Sequence, residues 1–358
     1  MIWKTLLGLV LFVVVAAFGL GFYWIKSNKN AVAEFIKKNP ERSSVCWQRN
    51  DTLLADIRSN KKMPLASTVK IIIAIEFAQQ AANGKLNPEE AIPLSDLALF
   101  YIPDTDGGAH PEWLADMQKQ GKIQGNTVKL MEITKGMILF SSNANTEFLM
   151  QKLGLDNINA NLKTLNLPQH DPIYPFVSAL FVTSNTQNQQ GFYETIKNTS
   201  LKDYTDKCLQ IHEKLKNDTD SSFRKTFLMP DADLQKIWSD RLPASTTKEY
   251  ASVIQKINSR TYFPPKVQAY LDDIMEWGFV VNPKNKAVYK HLGQKGGSTA
   301  FVLTLATYAR TMSDNRTELV FFFNDLTTKE SIKLEMFMND FVVNCISRPK
   351  EMIAYFKE

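Results

Sequence analysis

The chain has few of the residues that build metal centres or disulfide frameworks. Its 358 residues include three cysteines and four histidines, none with ligand spacing. That excludes the usual zinc-binding motifs and a disulfide-dense scaffold. Cys46, Cys208 and Cys345 read as small buried apolar residues, and a Cys46–Cys345 disulfide is the alternative in an oxidising compartment. A dense block of one charge is also missing. Lys and Arg total 42 against 37 Asp and Glu, and the basic residues are scattered. A net charge of +5 on that pattern gives mild attraction to anionic surfaces and no nucleic-acid footprint. Internal repeats and low-complexity tracts are absent. Nothing in the composition calls for a metal, nucleotide or haem cofactor.

Long apolar runs are absent with one exception. Leu6 to Ile25 carries no charge and is flanked by Lys4, Lys26 and Lys29. It is long enough to span a bilayer as a helix. Ala16-Ala17 is followed by Phe18, Phe22, Tyr23 and Trp24, which suit a membrane interface better than a cleavage site. Residues 1–29 are therefore expected to be an uncleaved anchor, with a cleaved signal segment as the alternative. The remainder, 30–358, is long enough for one large domain with a sizeable core.

Ser44–Arg49 and Thr52–Ile57, joined by Asn50-Asp51, predict a β-hairpin. Pro64-Leu65-Ala66-Ser67-Thr68-Val69-Lys70 then leads into an apolar helix that stops at Asn83-Gly84. About 86–277 reads as mostly helical. Thr127–Phe140, Thr146–Leu153 and Ile158–Leu165 carry helical periodicity, Leu180–Gln190 is a loop, and Thr246 to Glu249 forms a capping box. Beyond Trp277 the pattern changes. Gly278–Val281, Lys295–Thr307 and Thr317–Phe323 read as strands, and Ser331–Val343 and Met352–Phe356 as closing helices. The expected class is α+β: the first and last parts join in one antiparallel sheet flanked by helices, with a large helical insert beside it.

Three separated pieces carry the chemistry. Ser67 and Lys70, three apart at a helix start, share a face, so the amine can serve as base for the hydroxyl. Alone, the pair also fits an ordinary helix cap. Ser141-Ser142-Asn143 falls in a break between two helices, as any polar loop would. Lys295-Gly296-Gly297-Ser298 opens a strand, with two residues that let a ligand approach the backbone closely.

Taken together and in this order, the three pieces resemble the motifs of the penicillin-recognising serine enzymes, whose members include serine β-lactamases and D-alanyl-D-alanine peptidases. Spacing is most similar to the class A branch, over roughly Val45 to Phe356. The resemblance implies Ser67 as nucleophile, Lys70 as acylation base and Ser141 as proton relay to the leaving group. It also implies Asn143 as amide-binding residue and Lys295 as the charge that meets a substrate carboxylate. Backbone N–H groups of Ser67 and Ser298 would form the oxyanion hole.

Two departures qualify the resemblance. Gly296 stands where the family usually has Thr or Ser, although Ser298 offers a nearby hydroxyl. The 167–178 loop has no Glu to activate a deacylating water; His170 and Asp171 are the nearest candidates. The expected activity is that of an anchored, extracytoplasmic serine hydrolase acting on a peptidoglycan stem peptide or a β-lactam and deacylating slowly. The alternatives are a true β-lactamase with another base and a weakly catalytic binding module. The 183–242 stretch is longer than the class A pattern needs.

Overall fold

The computed structural model describes residues 30–184 and 191–356. The apolar Leu6–Ile25 stretch lies outside them. Among the described residues no helix is long and apolar enough to cross a membrane.

One five-stranded antiparallel sheet organises the chain. Its strands are β1 (Ser43–Arg49), β2 (Thr52–Ile57), β7 (Tyr289–Ser298), β8 (Leu303–Thr311) and β9 (Arg316–Phe323), in the order β2-β1-β9-β8-β7. The predicted joining of first and last parts is the β1–β9 ladder, in which Val45 faces Phe321 and Cys46 faces Val320. Strand β9 is central and buried on both faces, which is why Leu319–Phe323 is apolar without alternation. Neighbouring side chains nevertheless leave on opposite sides. Leu319, Phe321 and Phe323 pack against helices α1 (Ala31–Lys38) and α13 (Thr328–Ser347). Val320 and Phe322 pack into the larger helical core. Cys46, on β1, packs into one core and Cys345, on α13, into the other, and all three cysteines are buried free thiols. The Cys46–Cys345 alternative is thereby overturned: the sheet stands between the two sulfurs.

The helical region contains two short ladders, β3 (Met63–Pro64) with β6 (Ala244–Ser245) and β4 (Ala91–Pro93) with β5 (Thr127–Lys129). Helix α2 (Lys70–Ala82) is its axis. Ile71, Ile72, Ile73, Ile75 and Phe77 are all fully buried. A helix apolar all round needs neighbours all round, and burial overrides the low helix propensity of its β-branched run. Packed on it are α4 (Leu130–Leu139), α5 (Asn143–Leu153), α6 (Leu155–Thr164) and α12 (Pro265–Met275). The region also holds α3 (Ala109–Lys119), α7 (Phe176–Val182), α8 (Phe192–Asn198), α9 (Leu201–Lys216), α10 (Ala232–Asp240) and α11 (Thr247–Ser259).

Three expectations change. Gly278–Val281 is a short helix beside edge strand β7, with Val280 and Val281 exposed. Lys295–Thr307 is two strands, because the chain turns between Ser298 and Leu303. The expected 180–190 loop begins as helix α7, and 185–190 lie outside the described residues. At α11, Thr246 caps as expected by accepting from Glu249 N at 3.1 Å. The Glu249 carboxylate instead bonds Ser245 Oγ and Gln169 N, so the box is half formed.

Candidate active site

Ser67 sits in a single 3₁₀ turn, Ala66–Val69, just before α2. Ala66 is held in the left-handed region at φ 44°, a conformation that costs a non-glycine residue energy and is found where a site requires it. The turn is stitched to the sheet. Thr304 Oγ1 donates to Leu65 O at 2.8 Å and lies 2.8 Å from Thr68 Oγ1. Strand β7 closes over the turn, and Gly297 is the point of contact. A Cβ there would lie 2.3 Å from Ser67 N and 2.8 Å from Thr68 N. Gly296 is not so constrained, since its Cβ would meet Thr304 O at 3.4 Å.

The second motif folds onto the first. Ser141 is left-handed at φ 68°. Ser142 caps α5 by accepting from Asn145 N at 3.2 Å, and His110 Nδ1 lies 2.9 Å from its hydroxyl. This anchor aims Ser141 and Asn143 at Lys70. Lys70 Nζ donates to Ser141 O at 2.7 Å and to Asn143 Oδ1 at 2.8 Å, and its contact with Ser141 Oγ is 3.3 Å. Lys295 Nζ donates to Ser141 Oγ at 3.0 Å and to Gly296 O at 2.8 Å. The Ser141 hydroxyl thus stands between two amines. The Ser67 hydroxyl lines the same cavity and bonds to no described residue.

Both lysines are buried, at 0% and 4% exposure, with no ion-pair partner among the described residues. An unpaired buried ammonium is costly, so each amine sheds its proton more easily. Burial first, and the neighbouring Lys295 charge second, hold Lys70 well below the ordinary amine range, with Asp106 partly opposing. Burial pushes Lys295 down to about 7. A neutral Lys70 has the lone pair that a base requires.

All the predicted site residues, Ser67, Ser141, Asn143, Lys295, Gly296, Gly297 and Ser298, line one cavity of about 760 Å³, with Lys70 bonded into its floor. The candidate bases of the 167–178 loop do not line it. His170 Nε2 lies 3.0 Å from Tyr250 OH, and Asp171 pairs with Lys62 at 2.5 Å. Burial keeps His170 below the usual imidazole range, and both residues tie the loop to its neighbours. From 167–182 the cavity receives only Phe176 and Leu180. Its carboxylates come from other walls: Asp104, Asp106 and Glu112 on the rim near α3, and Glu335 on α13.

Sequence reasoning missed Asp106, one of whose oxygens is buried without a partner. It lies among the Asp, Gly and Pro residues of 103–111, which carry no motif. Sequence reasoning also missed Met229, Trp238 and Leu242, which carry no motif. Away from the cleft, Asp272, Glu276 and His291 converge closely enough for a metal. Arg260 already pairs with Asp272 and lies 3.8 Å from Glu276, so this cluster has its counter-charge.

Comparison with known proteins bears on the fold and the family. No curated protein matches the sequence. The solved structure of the chromosome-encoded β-lactamase of Vibrio parahaemolyticus is similar with a TM-score of 0.55 at 11% identity, covering 89% of this chain and 99% of that one. A β-lactamase from Chitinophaga pinensis gives 0.52 at 13% identity, covering 86% and 94%. A point mutant of PBP-A, solved as an acyl-enzyme complex with penicillin G, gives 0.50 at 14% identity, covering 88% and 97%. At such low identity these likenesses establish the fold. The model of the "Beta-lactamase enzyme family" matches residues 27–277, more than half of the sequence. The chain belongs to the β-lactamase enzyme family and has its α+β fold.

Proposed function

We propose that the protein is a serine acyl-transfer hydrolase that is acylated at Ser67 and deacylates slowly. The observation that carries this reading is the Lys70–Ser141–Lys295 array beside Ser67, with no carboxylate entering from the 167–182 side. Neutral Lys70 accepts the Ser67 proton as Ser67 Oγ attacks the substrate carbonyl. Developing negative charge on that carbonyl oxygen is met by N–H groups of Ser67 and Ser298, typically worth about 3 kcal/mol per donor. The proton then passes from Lys70 through the Ser141 hydroxyl to the leaving nitrogen, and the C–N bond breaks. Lys295, when protonated, holds the substrate carboxylate, and Asn143 holds the amide of the acyl side.

The substrate class is a D-alanyl-D-alanine-type stem peptide of peptidoglycan, or a β-lactam that mimics it. Slow deacylation follows from the apolar face that Phe176 and Leu180 turn toward the cavity, where a water would need a base. The proposed location is extracytoplasmic, held to the membrane by Leu6–Ile25. The test is release of D-alanine from a diacetyl-L-Lys-D-Ala-D-Ala peptide, beside benzylpenicillin turnover. Peptide turnover with slow penicillin turnover supports the reading. Fast penicillin hydrolysis that requires Ser67 makes the protein a β-lactamase with another base.

A further inference from the structure

The five-stranded sheet has two unlike ends. At one, Ser298 faces Leu303, Leu303 faces Phe323 and Phe323 faces Ser43, and the cleft lies there. At the other lie the Asn50-Asp51 turn, the turn between β8 and β9, and the start of β7. Backbone bonds tie these pieces together: Asn50 N donates to Arg316 O at 3.1 Å, and Met312 N to Val288 O at 3.1 Å. Lys295 lies roughly 20 Å along the strand from Val288 at the usual rise.

The far end leaves aliphatic side chains in solvent. Leu53, Val280, Val281, Val288 and Met312 are all exposed there, Val280 by 75% and Val281 by 64%. Their support is fixed, since Phe279 packs inward on the core and Asn285 Nδ2 donates to Gly278 O at 3.1 Å. Lys284 and Lys286 stand exposed between the valines, with no ion-pair partner among the described residues. The acid of the β8–β9 turn, Asp314, is already paired with Lys290 and Arg310. Aliphatic side chains interleaved with unpaired lysines suit a lipid headgroup layer.

Where the chain enters decides the occupant. Helix α1 finishes at the cleft end, because residues 39–42 lead from it to Ser43, opposite Phe323. It therefore starts toward the far end. There Tyr355 OH donates to Asn30 Oδ1 at 3.4 Å, and Arg49 Nη1, from the last residue of β1, donates to Ile346 O at 3.1 Å. Asn30 follows the uncharged Leu6–Ile25 run so closely that the two are at most about 18 Å apart. A bilayer holding that run lies against the far end. We propose that this end of the sheet docks on an anionic lipid surface. Val280, Val281, Val288 and Met312 enter the headgroup layer, Lys284 and Lys286 meet lipid phosphates, and the cleft is held away from the bilayer. The proposal rests on the reading of Leu6–Ile25 as a membrane anchor.

Two measurements on the full chain in liposomes of phosphatidylcholine and phosphatidylglycerol test it. First, a fluorophore is placed at Val281→Cys, the native thiols being buried, and at Lys329→Cys as a control exposed at the cleft end. A doxyl quencher near the lipid headgroups is expected to dim the Val281 label by about twofold or more and the Lys329 label by less than about 10%. Second, extraction with alkaline carbonate reads the anchor by itself. Lys284→Glu with Lys286→Glu, its melting temperature checked, is expected to cut the quenching by about half. Unchanged quenching in that variant overturns the role of anionic lipid. An unquenched Val281 label on protein that resists extraction overturns the docking surface and leaves the anchor standing. Quenching of protein that extraction removes keeps the surface and overturns the anchor. Neither quenching nor retention overturns both. A shift of the Val281 label that grows with protein concentration in the absence of lipid assigns the face to a second copy of the chain and overturns lipid docking.

Discussion

Gly297 lies so close to Ser67 that a methyl group on it would stand 2.3 Å from the Ser67 nitrogen. That nitrogen belongs to the proposed oxyanion hole, so any side chain at 297 must push β7 away from the nucleophile. Gly297→Ala is expected to slow acylation by roughly 100-fold or more, the usual cost of losing an oxyanion donor. It should also destabilise the protein by about 1–3 kcal/mol through overpacking. Stopped-flow acylation and a denaturant melt measure the two effects.

Gly296 makes the opposite prediction. Its Cβ would meet Thr304 O at 3.4 Å, which a small side chain tolerates after a slight shift. Gly296→Thr is expected to fold normally and to lower the KM for carboxylate-bearing substrates, by adding a hydroxyl beside Lys295. Substrates lacking the carboxylate should show no gain. An equal gain for both classes contradicts carboxylate recognition at this end of the cleft.

The two lysines set the pH dependence. Acylation needs Lys70 neutral, so the rate falls as acid protonates it below its depressed pKa. Carboxylate binding needs Lys295 charged, so kcat/KM falls as pH rises through its value of about 7. The expected profile is a bell. Lys295→Arg keeps the charge at high pH and should move the alkaline limb above about pH 9. An unmoved limb would assign it to another group. Ser141→Ala removes the hydroxyl between the two amines and is expected to slow acylation by roughly 10²–10⁴-fold.

Glu318 provides a stability test away from the cleft. It is buried on β9, where Asn258 Nδ2 donates to it at 2.6 Å, and burial raises its pKa to about 7. A carboxyl raised on folding favours the folded state while it is protonated. That contribution is complete below the ordinary carboxylate value and fades as pH rises through about 7. Glu318→Gln is expected to raise the melting temperature at pH 8 by about 2 °C or more and to flatten its fall between pH 5 and 8.

The hairpin, the apolar α2 and the three motifs were legible in the sequence because each rests on local pattern. Asn50-Asp51 turns, Ser67 and Lys70 lie three apart, and Gly297 lets β7 come close. The turn between Ser298 and Leu303 was not legible, because Thr299-Ala300-Phe301 lacks the usual turn residues. Gly278–Val281 carries strand residues, yet it packs beside edge strand β7 as a helical turn without joining the ladder, so context rather than propensity decides. The cavity wall of Trp238 and Leu242 was illegible for a related reason. Apolar residues in a helical insert mark a core as readily as a cavity lining, and only their position beside Ala66 separates the two.

The most direct test of the central claim is the intact mass of the full chain over time after mixing with benzylpenicillin. The account predicts one added penicilloyl mass, mapped to Ser67, persisting for minutes or longer and absent in Ser67→Ala. An adduct on another residue, or none under conditions where the protein is folded, would contradict Ser67 as the acylated nucleophile.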